Sequence, residues 1–178
     1  MTGGRGESPQ VQRTNWATGA LAMAALVLVA FAVWLVVASV TRSSQRSMGN
    51  DDARKIADAA GGVFAITRHP MMWGIVSWAV GHLLARGDQA SLLLFGGIAV
   101  LAIAGSVSQD RKQRLRAGAD WDSFANATSH VPFVAIATGR AKLKLSEIGW
   151  LSPLIALVVF IGLIAAHQWA FGVSPLPG

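Results

Sequence analysis

Cysteine is absent from the 178 residues of this chain, which excludes disulfides, thiolate metal ligands, cysteine nucleophiles and palmitoylation. Tyrosine is also absent, and charged residues amount to only 13% of the sequence. A soluble domain carries about twice that charged fraction. Apolar residues make up 53% and the mean hydropathy is +0.47, so an intrinsically disordered chain is excluded as well. The composition indicates an integral membrane protein with one domain.

Four long runs without a charged residue predict the fold class, an all-α polytopic transmembrane helical bundle with four spanning helices. A span needs about 20 apolar residues in helical conformation. The spans are expected at about residues 16–41, 66–85, 89–108 and 149–171. The second run is short, and its helix is expected to begin earlier, near Gly62, or to cross a thinned bilayer.

The segments outside the spans complete a predicted single membrane domain, residues 14–178. A polar, glycine-rich tail at 1–13 is expected to be disordered. Short cytoplasmic and interfacial helices are expected in addition, one of them at 51–60 in the linker. The stretch 123–139 contains several polar residues and a proline, so we expect an interfacial or re-entrant segment there and not a full crossing.

Lysine and arginine are concentrated on one side of the predicted bundle. Of the 15 basic residues, the linker 42–68 has five and the loop 110–147 has seven. The positive-inside rule therefore predicts a multi-pass protein with both basic loops cytoplasmic and both termini periplasmic. The net charge of +6 is then explained by the orientation of the protein in the membrane. The expected partner is the lipid bilayer and not a nucleic acid, since no soluble domain carries the charge.

Four histidines fall at two depths of the predicted bundle. His82 and His167 lie near the outer ends of the second and fourth spans, whereas His69 and His130 lie at the cytoplasmic boundary. Ionisable residues within a membrane are candidates for function. Two histidines at one depth on different helices could ligate a haem iron or another metal, and we assign this role first to His82 with His167. The alternative is that each ring hydrogen-bonds a backbone carbonyl or lies in the wet interface.

The second span also carries a small-residue face, formed by Gly74, Ser77 and Gly81 at i, i+3 and i+7. Such a face lets another backbone or a flat ligand approach closely, and ordinary helix packing is the alternative. The charged run at 110–116 could pair with anionic lipid, or with a phosphate or carboxylate ligand. The alternative interpretation of this run is the orientation signal alone.

The chain resembles the NnrU family over residues 62–178. The segments that carry the resemblance include Arg68-His69-Pro70 and are 66–74, 78–88, 92–96, 110–112, 131–133 and 171–177. The resemblance implies an integral protein of the bacterial inner membrane that is associated with denitrification, especially with nitrite and nitric oxide reduction. It also implies nitrogen-oxide reductase components as partners.

The family is similar to 15-cis-zeta-carotene isomerase, a membrane enzyme that uses a histidine-ligated haem b, so the resemblance implies haem b as a cofactor. In that hypothesis His82 and His167 ligate the iron, and the small-residue face makes room for the ring. Arg68 with His69 then holds the cytoplasmic end of the haem or a propionate. Members of the family begin with a helix that carries a His-Ser pair, whereas residues 14–41 contain no histidine, and His167 would substitute for it.

A second resemblance is to the isoprenylcysteine-type membrane methyltransferases. It rests on Arg68-His69-Pro70-Met71 and on the later charged stretch that ends at 118–124. It implies that these segments bind S-adenosylmethionine at the cytoplasmic face. Met72 stands where that family has a tyrosine, and Gln109-Asp110 stands where it has two glutamates. The alternatives for function are therefore an S-adenosylmethionine-dependent membrane methyltransferase and a non-catalytic membrane accessory or assembly protein.

Overall fold

A computed structural model describes residues 9–47 and 60–176, and within them the regular secondary structure is entirely helical. The helices are α1 (Pro9–Ser47), α2 (Val63–Ile66), α3 (Pro70–Ala85), α4 (Gln89–Ala117), α5 (Ala119–Ala127), α6 (Val134–Ala137), α7 (Leu145–Ile148) and α8 (Leu151–Phe171). The all-α prediction is confirmed for this part of the chain. Of the predicted tail, residues 1–8 lie outside the described residues, and α1 begins at Pro9. Of the predicted linker helix, residues 51–59 also lie outside them.

Three helices in the described residues are long and apolar enough to cross a membrane, namely Trp16–Thr41 within α1, then α4 and α8. Helix α3 is apolar but has only 16 residues. At about 1.5 Å per residue it is about 24 Å long, which is shorter than the roughly 30 Å core of a bilayer. The prediction of four spanning helices is therefore confirmed for three of them and not for the second.

The helix expected at 66–85 begins late because the chain is not helical between Ile66 and Pro70. Pro70 has no N–H and disfavours a helical conformation in the residue before it, while its fixed φ suits the first position of α3. His69 accordingly has φ −121°, and Thr67 is extended with φ −156°. The break leaves the carbonyl of Ile66 and the N–H of Arg68 without helical partners, so they must bond to another segment.

Helix α1 packs against both α3 and α8, and α4 packs against α3. The approach of α1 to α3 is close because glycines of α3 face α1. A Cβ atom on Gly81 would lie 2.9 Å from Cγ2 of Val29 and 3.0 Å from the carbonyl oxygen of Ala25, and Gly74 meets α1 equally closely. The small-residue face therefore packs against a neighbouring helix, as one of the two alternatives predicted.

The short helix α2 is anchored by apolar contacts with its neighbours. Val63 and Phe64 are buried together with Leu35 and Ala38 of α1, and Phe124 of α5 packs against this cluster. Burying a large apolar side chain contributes about 1.5–3 kcal/mol. The contacts hold the non-helical segment 67–69 against the segment that follows α5.

The stretch 123–139 does not form a spanning helix. It contains the end of α5, a turn, and the four-residue helix α6. Thr128, Ser129 and Ala135 are buried, and the hydroxyl of Ser129 accepts a hydrogen bond from the backbone N–H of Ala135 at 3.0 Å. The expectation that this stretch makes no full crossing is confirmed, and its turn is folded tightly onto the bundle.

Candidate functional site

Two non-helical segments pair with each other at the end of the bundle where α3 begins. The backbone N–H of Arg68 donates to the carbonyl of Ser129 at 2.9 Å, and the N–H of Phe133 donates to the carbonyl of Ile66 at 2.8 Å. The Thr67 hydroxyl donates to the carbonyl of His130 at 2.8 Å. These bonds satisfy the backbone groups that the break before α3 exposes. They also bring two histidines together, because the rings of His69 and His130 lie 5.2 Å apart between centroids.

Asp110, near the end of α4, links this pair to a third element. Both oxygens of its carboxylate accept from Arg68: Nη2 lies 2.6 Å and Nε 2.9 Å from Oδ2, and Nε also lies 3.1 Å from Oδ1. Nε2 of His69 lies 2.5 Å from Oδ1 of the same carboxylate. The side chains of Arg68 and Asp110 are only 15% and 20% exposed, and that of His69 is 5% exposed. Charge-assisted bonds of this kind are the strong ones, and they hold the start of α3 against the end of α4.

His130 is held by a serine of α4. The Ser106 oxygen lies 2.7 Å from the carbonyl of Ile103 and 2.8 Å from Nε2 of His130. When the hydroxyl donates its proton to the carbonyl, its oxygen accepts from Nε2–H of His130, and Nδ1 of that ring is then unprotonated. Burial lowers the pKa of the His130 imidazole, and the neighbouring His69 and Arg68 lower it further against the opposing effect of Asp110. The neutral ring, which can act as a ligand, is therefore favoured.

His69, Asp110 and His130 form one cluster, which we call the histidine–aspartate cluster. One ligand atom from each of the three lies within 4.8 Å of the other two. Two imidazoles and a carboxylate are metal ligands in proteins, and they also form structural hydrogen-bond networks without a metal. The arrangement can hold a cation, or it can hold a proton between His69 and Asp110.

A pocket of about 250 Å³ lies beside the cluster and shares Arg68 and His69 with it. We call it the basic pocket, since Arg68, Lys112 and Arg116 all line it and no carboxylate does. The remaining lining residues are aromatic or carry amides, and they are Phe64, Gln109, Gln113, Trp121 and Phe124. Arg68 is paired with Asp110, so the positive charge available to a ligand comes from Lys112 and Arg116. The pocket suits an anionic ligand with an apolar or planar part.

The two histidines predicted first as iron ligands lie in separate surroundings. Nδ1 of His82 lies 2.9 Å from the carbonyl of Trp78, and its ring stacks on Phe95 of α4 at 4.7 Å. Nδ1 of His167 lies 2.8 Å from the carbonyl of Val173, at the end of α8. Helix α1 packs against both α3 and α8, whereas His82 faces α4. Each ring therefore matches the alternative in which histidine bonds a backbone carbonyl, and the shared ligand role stays a prediction.

The small-residue face of α3 lies against α1. The backbone and side chains of α1 fill the space beside Gly74 and Gly81, and Ser77 is half-buried on the same helix. A flat ligand has no room between these two glycines and α1. By contrast, Arg68 and His69, which were predicted at the cytoplasmic end of a cofactor, both line the basic pocket.

Sequence reasoning missed Asp110 and Ser106 as members of the site. Asp110 was included in the charged run 110–116, and Ser106 was not singled out within its apolar span. The signal that could have found them is their spacing, because residues at i and i+4 lie on one face of a helix. A serine and an aspartate on one face at the end of an apolar helix indicate a polar cluster facing the bundle.

Comparisons with known proteins give related results over most of the chain. The sequence profile described as NnrU protein matches residues 2–175. The chloroplastic 15-cis-zeta-carotene isomerase of Arabidopsis thaliana is 32% identical over 116 residues, which are 64% of this chain and 32% of that protein. The same enzyme of Zea mays is 35% identical over 82 residues, which are 46% of this chain and 22% of that protein. The matched part thus spans a third or less of each relative, and no solved structure matches the chain.

Proposed function

The chain belongs to the NnrU family, and from this premise we propose that it is a bacterial inner-membrane protein that supports nitrite and nitric oxide reduction at its histidine–aspartate cluster. The observation that carries the proposal is the convergence of His69, Asp110 and His130 beside a pocket lined by cations. Nitrite is an anion, and Lys112 and Arg116 would attract it to the mouth of this site. Components of nitrogen-oxide reductases are the proposed partners.

The proposed topology places the two basic loops in the cytoplasm and both termini in the periplasm. Three apolar helices of spanning length support the membrane location. The orientation follows from the concentration of Lys and Arg in 42–68 and 110–147. It requires that α3 cross the bilayer in spite of its length. Tilting, local thinning of the bilayer and the adjoining segment 63–69 are the means by which a short helix can do so.

Haem b, which the resemblance implies, does not fit the ligands predicted for it. His82 and His167 have separate surroundings, and α1 fills the small-residue face. The chemistry that the chain itself supplies is at the cluster, where His69 and Asp110 share a proton at Nε2 and Oδ1. Arg68 keeps this carboxylate ionised and oriented, since it bonds the Oδ2 atom.

The test of the proposed function is a deletion in the native host with complementation. We expect the deletion strain to lose nitrite-dependent nitric oxide turnover under oxygen limitation, and the wild-type gene to restore it. A gene with Arg68→Ala should restore much less, because the orientation of Asp110 is lost. Arg114→Ala is the matched control at an exposed arginine that pairs with Asp122, and it should restore turnover fully. Normal turnover in the deletion strain would overturn the proposal.

A second candidate function is supported by the position of the basic pocket. Apart from Phe64, its walls come from Arg68 and His69 and from the stretch 109–124, which are the two segments that resemble the membrane methyltransferases. Aromatic walls and cations suit the adenine ring and the carboxylate of S-adenosylmethionine. If this function holds, purified protein binds that cofactor saturably, and Arg68→Ala weakens binding about tenfold or more. Absence of binding at millimolar cofactor would remove this candidate.

A third candidate is the non-catalytic accessory or assembly protein. It requires no ligand at the cluster, and the Arg68–Asp110–His69 network then serves only to hold α3 against α4. Such a protein would be extracted by a mild detergent as a stable complex with a reductase component, and it would contain no cofactor. The two tests above would then give different results, because the deletion would have a phenotype while the purified protein bound no S-adenosylmethionine.

A further inference from the structure

We propose that the histidine–aspartate cluster binds one divalent first-row transition metal ion through His69, Asp110 and His130. This inference rests on the proposed function in using the same cluster, and it names the ligand that the cluster takes. It differs from the haem hypothesis, because all the ligands it invokes are protein side chains that the fold already brings together.

The spacing of the donor atoms suits a single ion. One nitrogen from each histidine and one oxygen from Asp110 lie within 4.8 Å of one another. Bonds from zinc to nitrogen and oxygen ligands are about 2.0–2.2 Å, so two ligands on opposite sides of an ion are at most about 4.4 Å apart. The widest separation therefore contracts by a few tenths of an ångström, while Nε2 of His69 and Oδ1 of Asp110, now 2.5 Å apart, open to about 3 Å to admit the ion between them.

The groups behind the ligands leave the required atoms available. Arg68 bonds Oδ2 of Asp110 at 2.6 and 2.9 Å and Oδ1 at 3.1 Å, so the closest partner of Oδ1 is Nε2 of His69. Ser106 bonds Nε2 of His130, which leaves Nδ1 of that ring. Metal-binding histidines and carboxylates in proteins are held by such hydrogen bonds, which fix the tautomer and the orientation. Arg68 and Ser106 each belong to a different helix or segment from the ligand that they hydrogen-bond.

The proton balance of binding is simple. In the metal-free network one proton lies between Nε2 of His69 and Oδ1 of Asp110, which are 2.5 Å apart. When the ion binds Nε2, the proton of the neutral imidazole moves to Nδ1, so His69 stays neutral and no net proton is released. Arg68 remains ion-paired with Asp110 and offsets its charge, so the site does not depend on a bare buried carboxylate.

The donor set indicates the class of metal. Two imidazoles and one carboxylate suit iron(II), zinc, cobalt and manganese, whereas calcium and magnesium prefer all-oxygen sites and copper(I) prefers sulfur. Three protein ligands leave positions for water or a small anion. His69 also lines the basic pocket, so an anion held by Lys112 and Arg116 would lie beside a residue that binds the ion.

The experiment uses the full-length protein, purified in detergent with a tag that contains no histidine. After treatment with a chelator, the protein is titrated with Co²⁺ as the spectroscopic probe and, without oxygen, with Fe²⁺. We expect one equivalent to bind. His130→Gln and Asp110→Asn should each weaken binding about a hundredfold, and Ser106→Ala about tenfold, because it removes only the hydrogen bond to His130. Asp122→Asn, at an exposed carboxylate paired with Arg114, is the matched control for Asp110→Asn and should leave Co²⁺ binding unchanged.

Three results would overturn the metal site. The first is no saturable binding of Co²⁺ or Fe²⁺ by the wild-type protein. The second is equal binding by wild type, His130→Gln and Asp110→Asn. The third is a pyridine haemochrome signal that disappears with His69→Gln and His130→Gln, because it would place a haem iron on these histidines. Since this experiment uses purified protein and the deletion experiment uses cells, the failure of one can be told from the failure of the other.

Discussion

Replacing Asp110 with alanine is expected to lower the free energy of unfolding by about 2–4 kcal/mol, even in the metal-free protein. The substitution leaves the guanidinium of Arg68 and the ring of His69 mostly buried and without their shared acceptor. It also removes the link between the start of α3 and the end of α4. The measurement is thermal and denaturant unfolding in detergent with excess chelator, so that loss of a metal ligand does not contribute.

The matched control for Asp110→Ala is Asp122→Ala, which removes an ion pair at the same end of the bundle. Arg114 and Asp122 lie 2.9 Å apart, but their side chains are 67% and 51% exposed. Solvent screens such a pair, so we expect its loss to cost less than about 1 kcal/mol. Equal destabilisation by the two substitutions would mean that the Arg68–Asp110–His69 network has no structural role beyond that of a surface pair.

Replacing Gly81 with alanine is expected to destabilise the protein by about 1–3 kcal/mol. The added Cβ would lie 2.9 Å from Val29 and 3.0 Å from the backbone oxygen of Ala25, so α1 and α3 must move apart. The backbone oxygen cannot rotate away as a side chain can. The loss is measured as the shift in the unfolding midpoint, and it should exceed the small gain in helix propensity that alanine brings.

Gly105→Ala on α4 provides the comparison for Gly81→Ala. A Cβ at Gly105 meets no atom within 4 Å, so we expect this change to be neutral or slightly stabilising. The two variants make the same chemical change in a helix, and they differ in what the new methyl group contacts. If both had the same small effect, the close approach of α1 to α3 would not contribute to stability.

The sequence predicted the long helices well, because uncharged runs of spanning length have few other structures open to them. The expected spans 16–41, 89–108 and 149–171 all lie within or closely match observed helices. The second span was shorter than expected, since Pro70 fixes the start of α3 and the residues before it bond to 129–133. The pairing partner is more than 60 residues away, so local sequence rules could not find it.

The site shows what depth in a bundle can and cannot predict. The sequence placed His69 and His130 at one depth, and their rings lie 5.2 Å apart. It also placed His82 and His167 at one depth, but His82 faces α4 whereas His167 bonds near the end of α8. The position of a residue along its helix gives its depth in the bundle. The neighbour that its side chain faces depends on how the helices are arranged around one another. That second quantity comes from tertiary packing.

Because 66–69 pairs with 129–133, the histidine–aspartate cluster can form only late in synthesis of the chain. Synthesis proceeds at about 5–20 residues per second, so His130 emerges about 3–12 s after His69. Until then the growing chain presents only His69 and Asp110, which cannot complete the cluster. Any ion held by all three residues is therefore acquired only after α3, α4 and the segment with His130 have left the ribosome.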